Sequence, residues 1–293
     1  MAKKTALILS GGGAKGAFQA GAEKYAREVK GYHWDIIAGV SVGALNGAML
    51  AMEKYDRLWQ IWNTVSDSQV YTGGFNLWST LKLLFGAKSF YGNEPLYRLL
   101  QKELEVDKIR VDLRIGSVSL VSGEYVEFRN DSPNLVKAIL ASTVMPVIWT
   151  PVNVSRDYQS MVDGGVRNIS PVGDVLDAGP DEIVIINCGA ETIDPLAGLP
   201  KNIVQVGART LDILLNELFV SDMREFIRTN LLVQQAVAHG LTLTNSHGKP
   251  LKYYECKVIE PVSPLGDTLD FSQAVIQSSL VAGDERAQQV LGK

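Results

Sequence analysis

The first 55 residues hold two strand–turn–helix units in tandem, and no other feature of the chain restricts the fold as tightly. Thr5 to Leu9 is a short apolar run, Ser10 to Gly13 a glycine turn, and Gly16 to Val29 a segment with the Ala, Glu, Lys and Arg content of a helix. His33 to Val40 then reads as a second strand, Gly39-Val40-Ser41-Val42-Gly43 as a sharp turn, and Ala44 to Tyr55 as a second helix. Successive units of this kind imply a parallel sheet with helices on its faces.

The rest of the chain extends that pattern. Asp56 to Val65 and Glu94 to Leu104 read as amphipathic helices, and Arg114 to Val121 with Glu124 to Arg129 as a hairpin turning at Ser122-Gly123. Leu135 to Thr143 is helical, and Gln159 to Val162 is a short strand leading into Asp163-Gly164-Gly165. Glu182 to Asn187 and Tyr253 to Ile259 are further strands; Val204 to His239 and Phe271 to Leu291 are helices. The expected fold is therefore α/β, a central, mostly parallel sheet flanked by helices as an α/β/α sandwich. With no clear linker, residues 1–293 read as one domain, with a core over about 5–190 and a helical and strand extension over about 191–293.

Composition narrows the functional classes. The 28 Lys plus Arg against 32 Asp plus Glu give a net charge of −4, which lacks the basic footprint of a nucleic-acid binder. Two cysteines, Cys188 and Cys256, and three scattered histidines, His33, His239 and His247, argue against a disulfide scaffold or a metal cluster. The apolar run after Lys3-Lys4 is shorter than the roughly 7–15 residues of a signal-peptide core. No run approaches the ~18 apolar residues of a membrane span. The expected location is cytoplasmic, with membrane association or export without a classical signal left open.

Ser10-Gly11-Gly12-Gly13-Ala14-Lys15-Gly16 sits between strand and helix, where unpaired amides and the helix dipole favour an anion. It is not a phosphate-binding P-loop, because Gly16 is followed by Ala17 and Phe18 rather than Lys and Ser or Thr. Gly11, Gly13 and Gly16 do satisfy the spacing of a dinucleotide loop, but the acidic residue at the right distance, Asp35, falls at the start of the second strand. The loop also suits an oxyanion hole, or simply a tight turn. At the end of the second strand stands Ser41, inside G-x-S-x-G, the pattern of a nucleophile held on a strained turn.

A serine nucleophile needs a base. His239 ends a helix beside Gly240 and His247 lies in a polar turn, so both read as structural or solvent-exposed; His33 precedes the second strand and falls at the opposite sheet edge. Asp163, presented at a strand end before two glycines, is the better candidate, although an Asp-Gly turn alone is common.

Taken in order, Gly11-Gly-Gly-Ala-Lys-Gly16, Gly39-Val-Ser-Val-Gly43 and Asp163-Gly-Gly165 resemble the patatin-like phospholipases. Ala141 to Pro146, Asn168 to Pro171 and Leu269 to Phe271 are similar to that family as well, and the likeness is good from about Thr5 to Asn187. The resemblance implies a Ser–Asp dyad without histidine, no cofactor and no metal, and calcium-independent cleavage of phospholipid or related acyl esters. Carried over, Ser41 is the nucleophile and Asp163 its base. The amides of Gly11, Gly12, Gly13 and Val42 form the oxyanion hole, with Lys15, Gly16, Gly39, Gly43, Gly164 and Gly165 in support. Lys15 stands where many members have arginine, and lysine lacks the planar fork for a bidentate contact.

The apolar cluster Phe75, Leu77, Trp78, Leu81, Leu83, Leu84, Phe85, Phe90 and Tyr91 suits either a lid that touches a membrane surface or one more core helix. Trp59 and Trp62 read as packing. Besides a lipid acyl hydrolase, the motifs admit an acyltransferase or a lipid-binding pseudoenzyme, and the glycine spacing admits a dinucleotide binder.

Overall fold

The computed structural model describes residues 3–65, 72–73, 91–146, 148–193, 195, 198–200 and 203–292. Its main sheet runs β6-β5-β2-β1-β8-β9, built from β1 (Thr5–Leu9), β2 (Ile36–Val40), β5 (Asp112–Ser119), β6 (Tyr125–Arg129), β8 (Glu182–Ile186) and β9 (Glu255–Ile259). β7 (Met161–Asp163) joins it through β5. The pairs β1–β2, β1–β8, β2–β5 and β8–β9 are parallel, whereas β6 and β7 run antiparallel to β5. The hairpin expected at Ser122-Gly123 is thus present, inside a mixed sheet whose centre is parallel. A separate two-stranded ribbon pairs β3 (Thr72–Gly73) with β4 (Tyr91–Gly92). The apolar segment from Phe75 to Phe90 lies outside the described residues.

The central strands are buried on both faces, and alternate residues feed two cores, as the period of two along a strand requires. Leu7, Leu9, Ile37, Val184 and Ile186 pack into one core. It is covered by α1 (Gly16–Glu28), α2 (Val42–Ala51), α3 (Tyr55–Thr64), α4 (Glu94–Glu103), α5 (Leu135–Thr143) and the last helix of the chain. Ala6, Ile8, Ile36, Ala38, Ile183 and Ile185 face the other core, where Val172 and Val175 of a short 3-10 helix meet Phe219, Val220 and Met223 of α6 (Ile203–Ala238). Burying each such aliphatic side chain contributes about 1.5–3 kcal/mol. The architecture is the expected α/β/α arrangement.

The closing helix α7 (Gln273–Leu291) packs on α1 through glycines. A Cβ at Gly21 would lie 2.0 Å from the Leu280 carbonyl oxygen, and one at Gly283 would lie 2.0 Å from that of Phe18. Residues beyond 191 therefore supply an edge strand and a helix to the same sheet and core. No helix among the described residues is long and apolar enough to cross a membrane.

Candidate active site

One strand brings the two candidate catalytic residues, Ser41 and Asp163, together. β5 is eight residues long and β2 covers only its first part, ending with Val40 opposite Gly116. β6 occupies the other side of β5, so β7 continues along the side that β2 has left, placing Asp163 opposite Ser117. Ser41 leaves the sheet immediately after Val40. Serine and aspartate thus meet where two strands abut along a third, although 122 positions separate them in sequence.

Ser41 adopts φ 58°, ψ −127°, a conformation costly for a side-chain-bearing residue and typical of functional turns. Two glycines permit it. A Cβ at Gly39 would fall 2.3 Å from the carbonyl oxygen of Gly43, and a Cβ at Gly43 would fall 2.2 Å from that of Leu9. The Ser41 amide donates to the Ser142 hydroxyl at 2.9 Å, which itself donates to the Gly116 carbonyl at 2.6 Å. Ser142 lies in the Ala141–Pro146 segment and pins the turn to β5. Because the atoms around Gly43 are backbone and cannot swing aside, Gly43→Ala should destabilise the fold by about 3 kcal/mol, read as a lowered denaturation midpoint.

Asp163 is 6% exposed. Its amide donates to the Val144 carbonyl at 2.9 Å, and its Oδ1 accepts from the Gly165 amide at 2.7 Å. The Ser41 side chain interacts with the carboxylate in the direction that favours its ionised form. Burial raises its pKa to about 6, against the opposing pull of Ser41 and of the Gly165 amide. Gly164 has the close approach its sequence suggests, since a Cβ there would meet the Gly116 carbonyl oxygen at 2.4 Å.

The glycine loop corrects one expectation. The Gly11 amide donates to the Ile169 carbonyl at 3.0 Å, so it shapes the loop and is withdrawn from the set of oxyanion donors. The amides of Gly12, Gly13 and Val42 donate to no backbone carbonyl among the described residues. Val42 opens α2, where helix geometry leaves the first amides without partners. The loop is fixed from both ends of the chain. Ala14 donates its amide to the Thr268 carbonyl at 2.9 Å, and the buried Asn46 side chain donates to Gly16 at 3.0 Å. Gly16 lies against Val42, where a Cβ would come within 2.2 Å of the valine side chain.

These groups open on a cavity of about 430 Å³. Toward α3 and α4 its walls are apolar, with Met49, Leu58, Ile61, Trp62, Leu96 and Leu100. Trp62, expected only to pack, lines this wall and donates its indole N–H to Asn46 at 3.0 Å; Trp59 lies outside it, under the Lys24 ammonium. Lys15, Arg209, Asp212 and Asp267 also line the cavity. Asn46, Ser142, Arg209 and Asp212 carry no motif signal: Asn46 and Ser142 act through partners distant in the chain, and Arg209 and Asp212 reach the cavity only through the fold.

None of the three histidines borders the cavity, and all are exposed. Asp35 sits at the opposite edge of the sheet, its carboxylate accepting from the Thr5 amide at 2.8 Å, where it cannot meet a ribose at the glycine loop. Among the described residues no three His, Cys, Asp or Glu side chains are grouped to hold a metal ion.

Two solved structures are similar to the chain. VipD from Legionella pneumophila shares 13% identity at a TM-score of 0.49, the match covering 99% of this chain and 66% of that one. The type III effector protein ExoU shares 14% at a TM-score of 0.38, covering 98% and 53%. The chain thus spans less than two thirds of the length of either. A family model described as patatin-like phospholipase matches residues 7–176. That match runs over more than half of the sequence and takes in the glycine loop and both strand ends that meet on β5, so the chain belongs to the patatin-like phospholipase family.

Proposed function

We propose that the protein is a calcium-independent lipid acyl hydrolase that works through a Ser41–Asp163 dyad. The observation that carries this reading is a serine on a strained turn and a buried carboxylate of raised pKa lining one cavity, beside amides that lack carbonyl partners. A nucleophile, a base tuned toward neutrality and preorganised donors are what acyl transfer requires.

In this reading the acyl chain lies along the apolar wall and the ester carbonyl points at Gly12, Gly13 and Val42. Ser41 Oγ bonds to the carbonyl carbon as its proton passes to Asp163. The tetrahedral oxyanion is held by the amides, which act in a water-poor site where their dipoles count most. When the intermediate collapses, the C–O bond to the alcohol breaks and Asp163 returns the proton to the leaving oxygen. Asp163 then takes a proton from water, whose oxygen attacks the acyl-serine carbonyl; as this adduct collapses the C–Oγ bond breaks, Asp163 returns the proton to Ser41 Oγ, and free fatty acid departs. Calcium independence belongs to the proposal because amides, not a cation, hold the developing charge.

Fatty-acid release from phosphatidylcholine mixed micelles in excess chelator tests it. Release should persist with chelator, and kcat/KM should be flat above pH 7 and fall about tenfold per unit below the Asp163 pKa near 6. The sign follows from the role: a base must be ionised to accept the serine proton, so acid removes activity. Release that stops with chelator, or a profile without this ionisation, would overturn the reading.

A further inference from the structure

Part of the cavity lining carries charge of both signs. Lys15 comes from the glycine loop, Arg209 and Asp212 from successive turns of α6, and Asp267 from the segment ahead of α7. Thr268 ties this cluster to the oxyanion loop, since its carbonyl accepts from Ala14 and lies where a Cβ on Gly13 would be. Three of the four charged residues lie beyond residue 176, outside the family match.

We propose that this part of the lining is a headgroup subsite for zwitterionic phospholipids, with the phosphate facing Lys15 and Arg209 and the ammonium facing Asp212 and Asp267. The inference rests on the reading of the cavity as a lipid-ester site and names its substrate class. A phospholipid phosphate is only a few bonds from the ester carbonyl. A lipid whose carbonyl is at Gly12 and Gly13 therefore presents its phosphate next to Lys15. The Asp212 carboxyl feels the other three groups. Burial raises its pKa, Lys15 opposes that rise, Asp267 adds to it and Arg209 opposes it again. Two cations and two anions lining one cavity match a ligand that carries both charges. An anionic headgroup would leave the carboxylates facing it, and a neutral glycerol would engage neither sign.

The test separates this proposal from catalysis by measuring binding to a Ser41→Ala background. Titration calorimetry compares monomeric dodecylphosphocholine, dodecyl phosphate and dodecyl maltoside, each below its micelle concentration. Adding Asp212→Asn should weaken dodecylphosphocholine binding about tenfold while leaving dodecyl phosphate unchanged or tighter; adding Arg209→Gln should weaken both phosphate ligands. A thermal melt of each variant checks folding. Equal affinity for phosphocholine and maltoside, no phosphocholine binding, or indifference of phosphocholine to Asp212→Asn would overturn the subsite. If the wild-type chain hydrolyses no lipid ester, the proposed activity falls, and these binding data still decide the subsite on their own.

Discussion

Replacing Ser41 with alanine should lower kcat/KM for lipid-ester hydrolysis by at least about 10⁴-fold, equivalent to ~5.5 kcal/mol of lost transition-state stabilisation. The nucleophile acts with its base as a unit, so what survives is only the contribution of binding and of the amides. Fatty-acid release by purified wild-type and variant protein, at matched folding by circular dichroism, is the measurement. Ser41→Gly should be equally inactive but melt higher than Ser41→Ala, by about 1 kcal/mol, because glycine accepts φ 58° that alanine resists. A Ser41→Ala protein that keeps a tenth of the activity would move the chemistry to another residue.

The second large effect combines lost activity with gained stability. Asp163→Asn keeps an oxygen that can accept from Gly165 but removes the base, and kcat/KM should fall about 10³- to 10⁴-fold. The same change should stabilise the fold at alkaline pH. Asp163 has a raised pKa when folded, about 6 against the ordinary value of 3.8. Its favourable contribution is present below pH 4 and lost as pH rises through 6, where the protein must hold a buried carboxylate. At pH 8 that penalty is about 3 kcal/mol, from 1.36 kcal/mol per pKa unit, and asparagine avoids it. Denaturation midpoints should therefore favour Asp163→Asn at pH 8, with the advantage shrinking through pH 6 and gone near pH 4. Equal stability at both pH values would show that the carboxylate is not held at a cost. A site that loses activity and gains stability through one atom exchange is the signature of strain kept for function.

Much of this was written locally in the chain. Thr5–Leu9 and Leu135–Thr143 begin and end where their apolar runs do, since turn residues flank both. The glycines at 39 and 43 announced the serine turn because no other residue fits against the Leu9 carbonyl. Other features had no local mark. The helix expected from Ala44 to Tyr55 runs Val42–Ala51 and stops short of Tyr55, and the break before the separately expected next helix, Tyr55–Thr64, falls at Glu53, which takes φ 56° without any glycine or proline to signal it. Asp163 was legible as a strand end, yet its meeting with Ser41 depends on β7 taking over from β2 along β5, a register set by long-range pairing. Gly11 looked the same as its neighbours in sequence, and only the carbonyl of Ile169 distinguishes it. Arg209 and Asp212 stand on a long helix that carries no motif pointing to the cavity.

The contact between the first and last helices has a consequence for the order of synthesis. A chain leaves the ribosome amino end first, so Ser41 and Asp163 are both exposed to the cell before Thr268 and Gly283 exist. Until those residues arrive, the Ala14 amide lacks the Thr268 carbonyl and α1 lacks the groove that Gly21 and Gly283 make with α7. A nascent chain therefore carries its nucleophile and base beside an unlatched glycine loop. Under the proposed function, full activity is expected only once the last helix docks and Thr268 latches the glycine loop.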